Sequence, residues 1–386
     1  MRTVSAPRVG FAPRLAALYT GLFIVSGVQL PFFPLWLKAK GIDPALIGLV
    51  VAVPSLVRVF GIPLVAREAD RRDALRPAIV VCAALSVAAF VLVGLSAGAP
   101  AIFLTYALAS VFYAPVMPLT EAYALKGLSA RGRAYGPVRL WGSVAFIAAS
   151  VATGLAIELM PARHLIWLMV AASGAVALAS LALMPVSTGP RSAEAPRRAS
   201  KGLLRDRGFL AVLAAASLIQ ASHAVYYGYA SLQWRSDGLD GTGIAALWAL
   251  GVLAEIVLFA VSGRLTLSPA TLLTLGAAGA ALRWAAMAFD PPAALLPLLQ
   301  ILHALSFGAT HLGALLYVAR HAPEGQAATA QGHLAIALSA AMALAGAASG
   351  PLYTGFGPES YAVMALLAIA GGIGARVAHR AAAMPR

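Results

Sequence analysis

The feature that most constrains this chain is a succession of long apolar segments separated by short polar ones. We count twelve of them, near 13–37, 45–66, 77–96, 100–126, 137–157, 164–185, 209–234, 242–263, 268–289, 292–319, 326–353 and 359–382. Each is close to the roughly 20 residues that an α-helix needs to cross a bilayer. Because lipid offers no hydrogen bonds to the backbone, the pattern predicts an all-α integral membrane protein with twelve transmembrane helices.

The composition supports a membrane protein, because only 11% of the residues are charged, against about 25% in soluble domains. The formal net charge of +14 has a topological explanation. With both termini assigned to the cytoplasm, the opposite side of the membrane carries few basic residues: Lys38, Lys40, Arg163 and Arg235. This positive-inside bias predicts a multi-pass protein of a bacterial-type cytoplasmic (inner) membrane with cytoplasmic termini, and no nucleic-acid partner.

The chain contains a diverged internal repeat at a spacing of 197 residues, which aligns residues 35–58 with 232–255 without a gap. The matched pairs are Lys38 and Arg235, Gly41 and Gly238, Asp43 and Asp240, Ile47 and Ile244, and Arg58 and Glu255. Parallel repeats of this kind place a site between two halves. The repeat predicts two six-helix bundles related by a pseudo-two-fold axis, at 1–185 and 209–386, joined by a cytoplasmic linker at 186–208. One twelve-helix unit needs no partner, so we expect a monomer.

Among the charged residues within the apolar segments, five are candidates for burial at membrane depth: Arg58, Glu121, Arg139, Glu255 and Arg283. A charge near the membrane centre costs roughly 2.5–3.5 kcal/mol or more, so such a residue usually faces a partner or a water-filled cavity. Two interpretations of Glu121 and Arg139 stay open, a structural ion pair between two helices and a substrate or proton site. Because Arg58 and Glu255 occupy equivalent repeat positions, both are predicted to face a shared central cavity. The side chain of Arg283 is long enough to reach the outer membrane surface, so this residue is a weaker candidate for the central site.

Aromatic and imidazole side chains accompany these charges in the apolar segments. Four aromatic residues are candidates to contact an aromatic ligand, although such spacings are as common in plain helix packing: Trp141, Tyr226, Tyr227 and Trp248. Three histidines are candidates for a proton relay or, the more common role, for hydrogen bonds between helices: His223, His303 and His311. The spacing by itself does not choose between these roles.

Signatures of direct catalysis are missing from the sequence. No Gly-Lys dipeptide occurs, so there is no Walker A phosphate loop, and no His-Glu-x-x-His, Cys-x-x-Cys or Gly-x-Ser-x-Gly pattern is present. The single cysteine, Cys82, leaves no disulfide framework to consider. We therefore expect no enzyme, no metal site and no cofactor. The scattered buried charges favour a central pathway for a small molecule over a reaction centre.

Several longer motifs resemble one family of transporters. They are PLTEA and YGPVRLWGSVAF in the fourth and fifth segments, HAVYYGY and LWALGVLAEIVLFA in the seventh and eighth, LRW at 282–284, QILHALSF with His311 in the tenth, and Arg58 in LVRVFG. With these motifs the chain resembles the phenylpropionate permease group of the major facilitator superfamily. It is more distantly similar to lactose and oligosaccharide proton symporters. The likeness covers nearly the whole chain.

The resemblance implies the twelve-helix major facilitator fold and secondary transport that draws on the proton gradient, without a cofactor. It implies proton-coupled uptake (symport) of a small, anionic aromatic carboxylate such as a phenylpropionate-like acid. A sugar or nucleoside proton symporter or a drug efflux carrier remains an alternative, and a membrane enzyme or receptor a remote one. The expected partners of a substrate carboxylate are Arg58 and Arg139, ahead of Arg283.

The comparison with lactose carriers also implies roles for individual residues. Glu121 and Arg139 match the acid and arginine that hold the sugar, and Glu255 matches an acid that links sugar to proton. Arg283 and His303 match members of the proton-coupling network. His223 and His311 are further candidate proton-coupling residues, as histidines within the apolar segments.

Two departures from the lactose carriers affect the proton site. The acid that is their main proton site is replaced by Ser306, and their acids in the seventh helix have no counterpart near 223–227. A proton-coupled cycle must therefore rely on another carboxyl group. Glu255 is the first candidate and Glu121 the second.

The loop at 67–76 partly matches a superfamily signature of the form Gly-x-x-x-Asp-Arg-x-Gly-Arg-Arg. Asp70 and Arg71 fit that pattern, whereas Ala66 and Asp73 replace its glycines. The resemblance implies a gating loop that binds helix ends. Simple anchoring of a basic loop at the membrane is the alternative interpretation.

Overall fold

A computed structural model describes residues 10–72, 74–186, 203–264, 266–323 and 326–383. Throughout this part of the chain the regular structure is helical, in agreement with the predicted all-α class. Eleven stretches are long and apolar enough to cross a membrane, and the last of them, Thr329–Val377, contains two helices. The described residues therefore form twelve transmembrane helices, as predicted.

The helices have the following bounds in chain order: α1 Phe11–Ala39, α2 Pro44–Arg71, α3 Leu75–Leu95, α4 Ala99–Ser129, α5 Tyr135–Leu159, α6 Ala162–Leu181, α7 Arg207–Ser236, α8 Gly241–Ser262, α9 Pro269–Ala288, α10 Ala293–His321, α11 Ala327–Phe356 and α12 Ser360–Ala383. Many of them begin or end a few residues outside the predicted segments. Hydropathy locates the part of a helix that lies in lipid, whereas the helix itself continues into the polar layers.

Three of the helices are irregular near their middle. The regular α-helix of α4 is interrupted at 114–115 and that of α7 at 222–223, and α10 contains a π-helical segment, Ala304–Ala309. Single-turn π-helical segments are frequent at functional sites. Irregular backbone inside a membrane is tolerated only where protein or a water-filled cavity surrounds it. The three irregular regions therefore indicate the depth at which a site is expected.

The internal repeat is visible in the backbone as two equivalent turns. Gly41 and Gly238 follow the ends of α1 and α7 with φ angles of 76° and 93°, a conformation that favours glycine. Two residues later, Asp43 and Asp240 accept hydrogen bonds from backbone N–H groups at the starts of α2 and α8, at 2.8 Å and 2.7 Å. The same chain reversal occurs once in each half, which agrees with the predicted parallel repeat.

Two helix pairs form the main interface between the halves: α2 packs against α11, and α5 packs against α8. A shift of six helices along the chain converts α2 into α8 and α5 into α11, so the two pairs are equivalent. This is the pseudo-two-fold arrangement that a parallel repeat produces. The predicted linker at 186–208 lies largely outside the described residues. The division at 1–185 and 209–386 therefore stays a prediction.

Within the described residues, the hydrogen bonds that join the two halves all lie at one end of the molecule. We call this end, which includes the turns at 40–43 and 237–240, the sealed side. Tyr229 of α7 connects the halves there. Its hydroxyl donates to the carbonyl of Pro44 at 2.6 Å and accepts the backbone N–H of Gly48 at 2.9 Å.

A second connection on the sealed side is an ion pair. Arg235 Nη1 of α7 lies 2.6 Å from Glu158 Oε1 of α5, and the same oxygen accepts the N–H of Gly241 at 2.8 Å. Gly154 lies so close to Gly241 that a Cβ on Gly154 would stand 2.3 Å from the Gly241 carbonyl oxygen. Only glycine permits this backbone approach. The first turns of α8 are therefore tightly seated against α5.

Gly350 of α11 provides a test of the sealed side, because a Cβ there would stand 1.9 Å from the Ala45 carbonyl oxygen in the other half. We expect Gly350→Val to hold α2 and α11 apart. Spin labels at the exposed positions Leu159 and Phe289, in a background without the native cysteine, would then report longer distances across this side. Gly355→Val is the matched control, since nothing lies within 4 Å of its Cβ. Unchanged distances in Gly350→Val would contradict the assignment.

Candidate functional site

A cavity of ≈ 470 Å³ lies between the two halves. Its volume is within the ~300–1,000 Å³ that is typical of small-molecule sites. The first half contributes α1 to α4 and the second half contributes α7, α10 and α11. The walls are mostly apolar and include several aromatic residues: Phe33, Phe90, Tyr106, Tyr113, Tyr227 and Phe307.

Arg58 is exposed to this cavity, and in the described part of the chain no Lys, Asp or Glu joins it on the walls. It lies on α2 about 21 Å from Pro44 at ~1.5 Å per residue, and therefore near the middle of the membrane. It makes no hydrogen bond or ion pair with any described residue. Tyr106, Tyr113 and Tyr227 are near enough to interact with it electrostatically. The cavity thus presents an unpaired cation among aromatic rings.

Hydrogen bonds and ring contacts hold the wall around this arginine in place. Gln29 Nε2 donates to the Tyr106 hydroxyl at 2.5 Å, and the ring of Phe33 stacks on that of Tyr106 with 4.5 Å between centroids. The Tyr113 hydroxyl donates to the carbonyl of Leu22 at 3.1 Å. These contacts orient the rings without supplying a counter-charge to the arginine.

A buried polar network lies in the second half. His303 Nε2 of α10 is 2.7 Å from Glu255 Oε1 of α8, and His303 Nδ1 is 2.9 Å from Arg283 Nη1 of α9. Arg283 Nη2 donates to Gln300 Oε1 at 2.6 Å, and the Arg283 side chain is 0% exposed. The structure therefore brings together Glu255, Arg283 and His303. Arg283 does not snorkel to the surface, because its charge is held inside by these contacts.

The direction of each hydrogen bond in the network follows from the chemistry of its members. Arginine can only donate, so His303 Nδ1 accepts and His303 Nε2 carries the ring hydrogen. That hydrogen is directed at Glu255, whose oxygen accepts it. Both ring nitrogens of His303 are therefore in use, and the role of Glu255 in proton coupling stays a prediction.

Aromatic side chains enclose the network. The guanidinium of Arg283 lies 4.4 Å from the centroid of the Tyr226 ring, and the Tyr226 hydroxyl donates to Gln300 Oε1 at 2.9 Å. Trp248 packs on Tyr226 with 4.7 Å between centroids. Tyr227 lines the cavity, whereas Tyr226 and Trp248 are buried and are not on its walls. The predicted ligand contact is therefore geometrically available to Tyr227, and the other two support the network.

The other two predicted histidines have different surroundings. His223 is fully buried at the irregular region of α7. Its Nδ1 donates to the Gln220 carbonyl at 3.1 Å, and its Nε2 accepts from the Ser306 hydroxyl at 3.2 Å. Ser306, where lactose carriers have an acid, is thus a hydrogen-bond partner of a histidine. His311 lines the cavity and stacks on Phe307.

Two glycines leave room for Glu255 and His303 to meet. A Cβ on Gly251, one turn before Glu255 on α8, would lie 3.3 Å from His303 Cδ2. A Cβ on Gly308, in the π-helical segment of α10, would lie 2.9 Å from Leu258 Cδ2 and 3.6 Å from Glu255 Cγ. A larger side chain at either position would displace its neighbours.

Glu121 and Arg139 are not on the walls of the cavity. Among the described residues they form no ion pair with each other or with another side chain. Glu121 accepts a long hydrogen bond from the Tyr135 hydroxyl at 3.4 Å, and the Arg139 guanidinium lies 4.0 Å from the centroid of the Phe23 ring. Arg139 also interacts electrostatically with Glu255 of the other half. The structural ion pair is therefore not formed in this conformation, and the substrate role of both residues stays a prediction.

Trp141 does not line the cavity, so the predicted ligand contact is not formed in this conformation and stays a prediction. The side chain is 58% exposed. It is two residues from Arg139 on α5 and thus points roughly 200° away from it around a helix of ~3.6 residues per turn. Since Arg139 faces the interior of the helix bundle, Trp141 points outward, away from the bundle.

The first half of the predicted gating loop at 67–76 belongs to α2, which ends at Arg71. Arg71 pairs with Glu68 at 2.9 Å, and Arg72, just after the helix, contacts the same carboxylate. These are exposed local pairs, which contribute little stability. The side chain of Asp70 is not among those described, so the role of this loop stays a prediction.

Sequence analysis misses the neutral members of the site, such as Gln29, Gln300 and Tyr106. Amide and phenol groups carry no charge, so they lack the solvation penalty that marks a buried Arg or Glu in an apolar segment. For Gln300 a signal exists, because it precedes His303 by three residues and therefore lies on the same face of α10.

The fold and the cavity define a class of protein, the secondary transporters whose two six-helix halves enclose a small-molecule site. The sequence pattern of the MFS_1 like family matches residues 13–363. The chain belongs to this family and is a major-facilitator-type membrane transporter, not an enzyme.

Relatives with sequence similarity over most of the chain are transporters. The chain is 30% identical to the "Probable 3-phenylpropionic acid transporter" of Escherichia coli, over 92% of this chain and 94% of that protein. It is 29% identical to the maltose permease of Geobacillus stearothermophilus, over 81% of this chain and 80% of that protein. The family resemblance that the motifs predict is thereby confirmed.

Solved structures share the fold. The nucleoside transporter NupG superposes with a TM-score of 0.80 at 18% identity, covering 98% of this chain and 100% of that chain. A D-xylose-proton symporter superposes with a TM-score of 0.72 at 14% identity, covering 95% of this chain and 97% of that chain. Both likenesses support the predicted twelve-helix major facilitator fold.

Proposed function

We propose that this protein is a proton-coupled symporter that takes up a small aromatic carboxylate across the cytoplasmic membrane. The observation that carries the proposal is Arg58, an unpaired cation on an aromatic-lined cavity. A charge at mid-membrane depth without a partner is costly, and a substrate carboxylate would supply the partner through a bidentate pair. The similarity to a relative described as a 3-phenylpropionic acid transporter supports the same substrate class.

The orientation in the membrane follows from the distribution of basic residues. The sealed side carries few of them, so we infer that it faces the outside of the cell and that both termini are cytoplasmic. In that orientation the cavity is closed to the outside. Uptake by alternating access then requires the contacts of Tyr229 and of Glu158 with Arg235 to break when the outer side opens.

Coupling would arise between Arg58 in one half and Glu255 in the other. Tyr227 on the cavity wall is within electrostatic range of both residues. A substrate anion that occupies Arg58 would repel the Glu255 carboxylate and so favour its protonation. Anion and proton would then cross together without net charge. Each unpaired charge otherwise moves through the membrane potential at ~2.3 kcal/mol per 100 mV.

Uptake into proteoliposomes tests this proposal. We expect 3-phenylpropionate to accumulate when a proton gradient is imposed with the acidic side outside, and the accumulation to collapse when a protonophore removes the gradient. Maltose and uridine, which represent the sugar and nucleoside alternatives, should not accumulate. Accumulation of either one in place of the acid would contradict the proposal and favour that alternative.

A further inference from the structure

Most polar groups on the cavity wall already have hydrogen-bond partners. Ser26 and Ser110 donate their hydroxyls to carbonyls of their own helices, and Gln29 donates to Tyr106. The lining side chains that make no hydrogen bond within the described residues fall on both halves: Ser55 and Arg58 on the first, and Tyr227, His311 and Ser339 on the second. Gln220 on the second half donates its amide to the Phe307 carbonyl, and aromatic and aliphatic side chains make up the rest of the wall. The cavity therefore offers free polar groups on two walls that belong to different halves.

His311 presents two ring nitrogens on the second wall. Its ring lies nearly parallel to that of Phe307, with 6.2 Å between centroids and 12° between planes, and the side chain is exposed to the cavity. A neutral imidazole has one donor nitrogen and one acceptor nitrogen. A ligand that covers both without a polar group of its own would leave them unsatisfied, which is unfavourable. The second wall thus discriminates against a substrate whose part facing His311 is apolar.

We propose that the substrate carries a second polar group, a hydroxyl on its aromatic ring, which binds His311 while the carboxylate binds Arg58. This inference rests on the proposed function and narrows it from aromatic carboxylates to ring-hydroxylated ones. A phenolic hydroxyl both donates and accepts, so it matches either tautomer of the imidazole, and Ser339 offers a further partner. A substrate held in this way contacts both halves at once, as a ligand that triggers rocking between them must.

The test compares the affinities of 3-(4-hydroxyphenyl)propionate and 3-phenylpropionate for the purified protein by isothermal titration calorimetry. We expect the hydroxylated acid to bind at least about tenfold tighter. His311→Phe keeps a ring on Phe307 but removes the nitrogens, and it should abolish this preference. His311→Asn retains a donor and an acceptor and should restore part of it. His164→Phe, on an exposed turn of the sealed side, is the matched control and should leave the preference unchanged.

The possible failures are distinguishable. Equal affinity of the two acids for the wild-type protein would overturn the inference while leaving the proposed function in place. Binding of maltose or uridine with no binding of either acid would overturn the proposed function itself. If His311 only transfers protons, His311→Phe would weaken gradient-driven uptake of both acids by the same factor and leave their affinity ratio unchanged. That result would also overturn the inference.

Discussion

Replacing Arg58 by glutamine is expected to weaken binding of 3-phenylpropionate by roughly 10–100-fold, because a hydrogen bond to a charged group contributes about 1.5–3 kcal/mol. The substrate-free variant should also unfold at a higher temperature than the wild type, because the substitution removes an unpaired charge from the middle of the membrane. Calorimetric titration and thermal unfolding of the detergent-solubilised protein measure the two effects. Lower affinity together with higher stability would separate a binding role from a structural one.

Two further variants make the Arg58 prediction specific. Arg58→Lys keeps the charge but lacks the planar fork that matches a carboxylate, so it should bind with intermediate affinity. Arg139→Gln changes the other interior arginine of the first half, which lies off the cavity wall, and should have the smaller effect. If Arg139→Gln abolished binding and Arg58→Gln did not, the anion site would lie near Glu121 and Arg139 instead.

Replacing Glu255 by glutamine is expected to abolish gradient-driven accumulation while leaving exchange of substrate across the membrane intact. Glutamine resembles the protonated acid in shape and cannot release a proton, and its amide oxygen still accepts the hydrogen bond from His303. The carrier would therefore continue to exchange one substrate molecule for another without using the proton gradient. Counterflow and proton-driven uptake in the same proteoliposomes measure the two activities.

Acids elsewhere in the chain provide the controls for Glu255. Glu158→Gln alters a carboxylate of the sealed side and should keep proton-driven accumulation, since the polar contacts of Glu158 among the described residues are with Arg235 and the start of α8. Glu121→Gln tests the second candidate for the proton site. Accumulation that survives in Glu255→Gln but is lost in Glu121→Gln would assign the proton to Glu121.

The fold was largely accessible from the sequence because lipid imposes simple rules on it. A spanning segment must satisfy its own backbone groups, so apolar length alone predicts the twelve helices. The repeat could be detected in the sequence because the same turn geometry requires a glycine in both halves, at Gly41 and Gly238. Helix irregularities such as the π-helical segment Ala304–Ala309 could not be predicted from the sequence, because they depend on how side chains of neighbouring helices pack.

Members of the candidate site could be predicted from the sequence only where placing the residue in lipid carries a solvation penalty. Arg58 and Glu255 stand out in apolar segments for this reason, and both lie at or beside the interface. Trp141 was a candidate because its ring can pack on an aromatic ligand, but an amphipathic tryptophan also carries no penalty on a lipid-facing surface. Gln300 was missed for the complementary reason, because a neutral amide inside a helix bundle does not differ in sequence from one outside it.

The sequence by itself determined the number of helices, the parallel repeat and the presence of charges that must avoid lipid. Each of these depends on the local hydropathy or the solvation of single residues. Only the tertiary structure decided which charges have partners: Glu255 is linked to Arg283 through His303, whereas Arg58 has no ion-pair partner in the part of the chain that the structure describes. Such pairings depend on how each helix is rotated about its axis and seated against helices distant in the chain. Close contacts such as that of Gly251 with His303 set those rotations, and no local pattern encodes them.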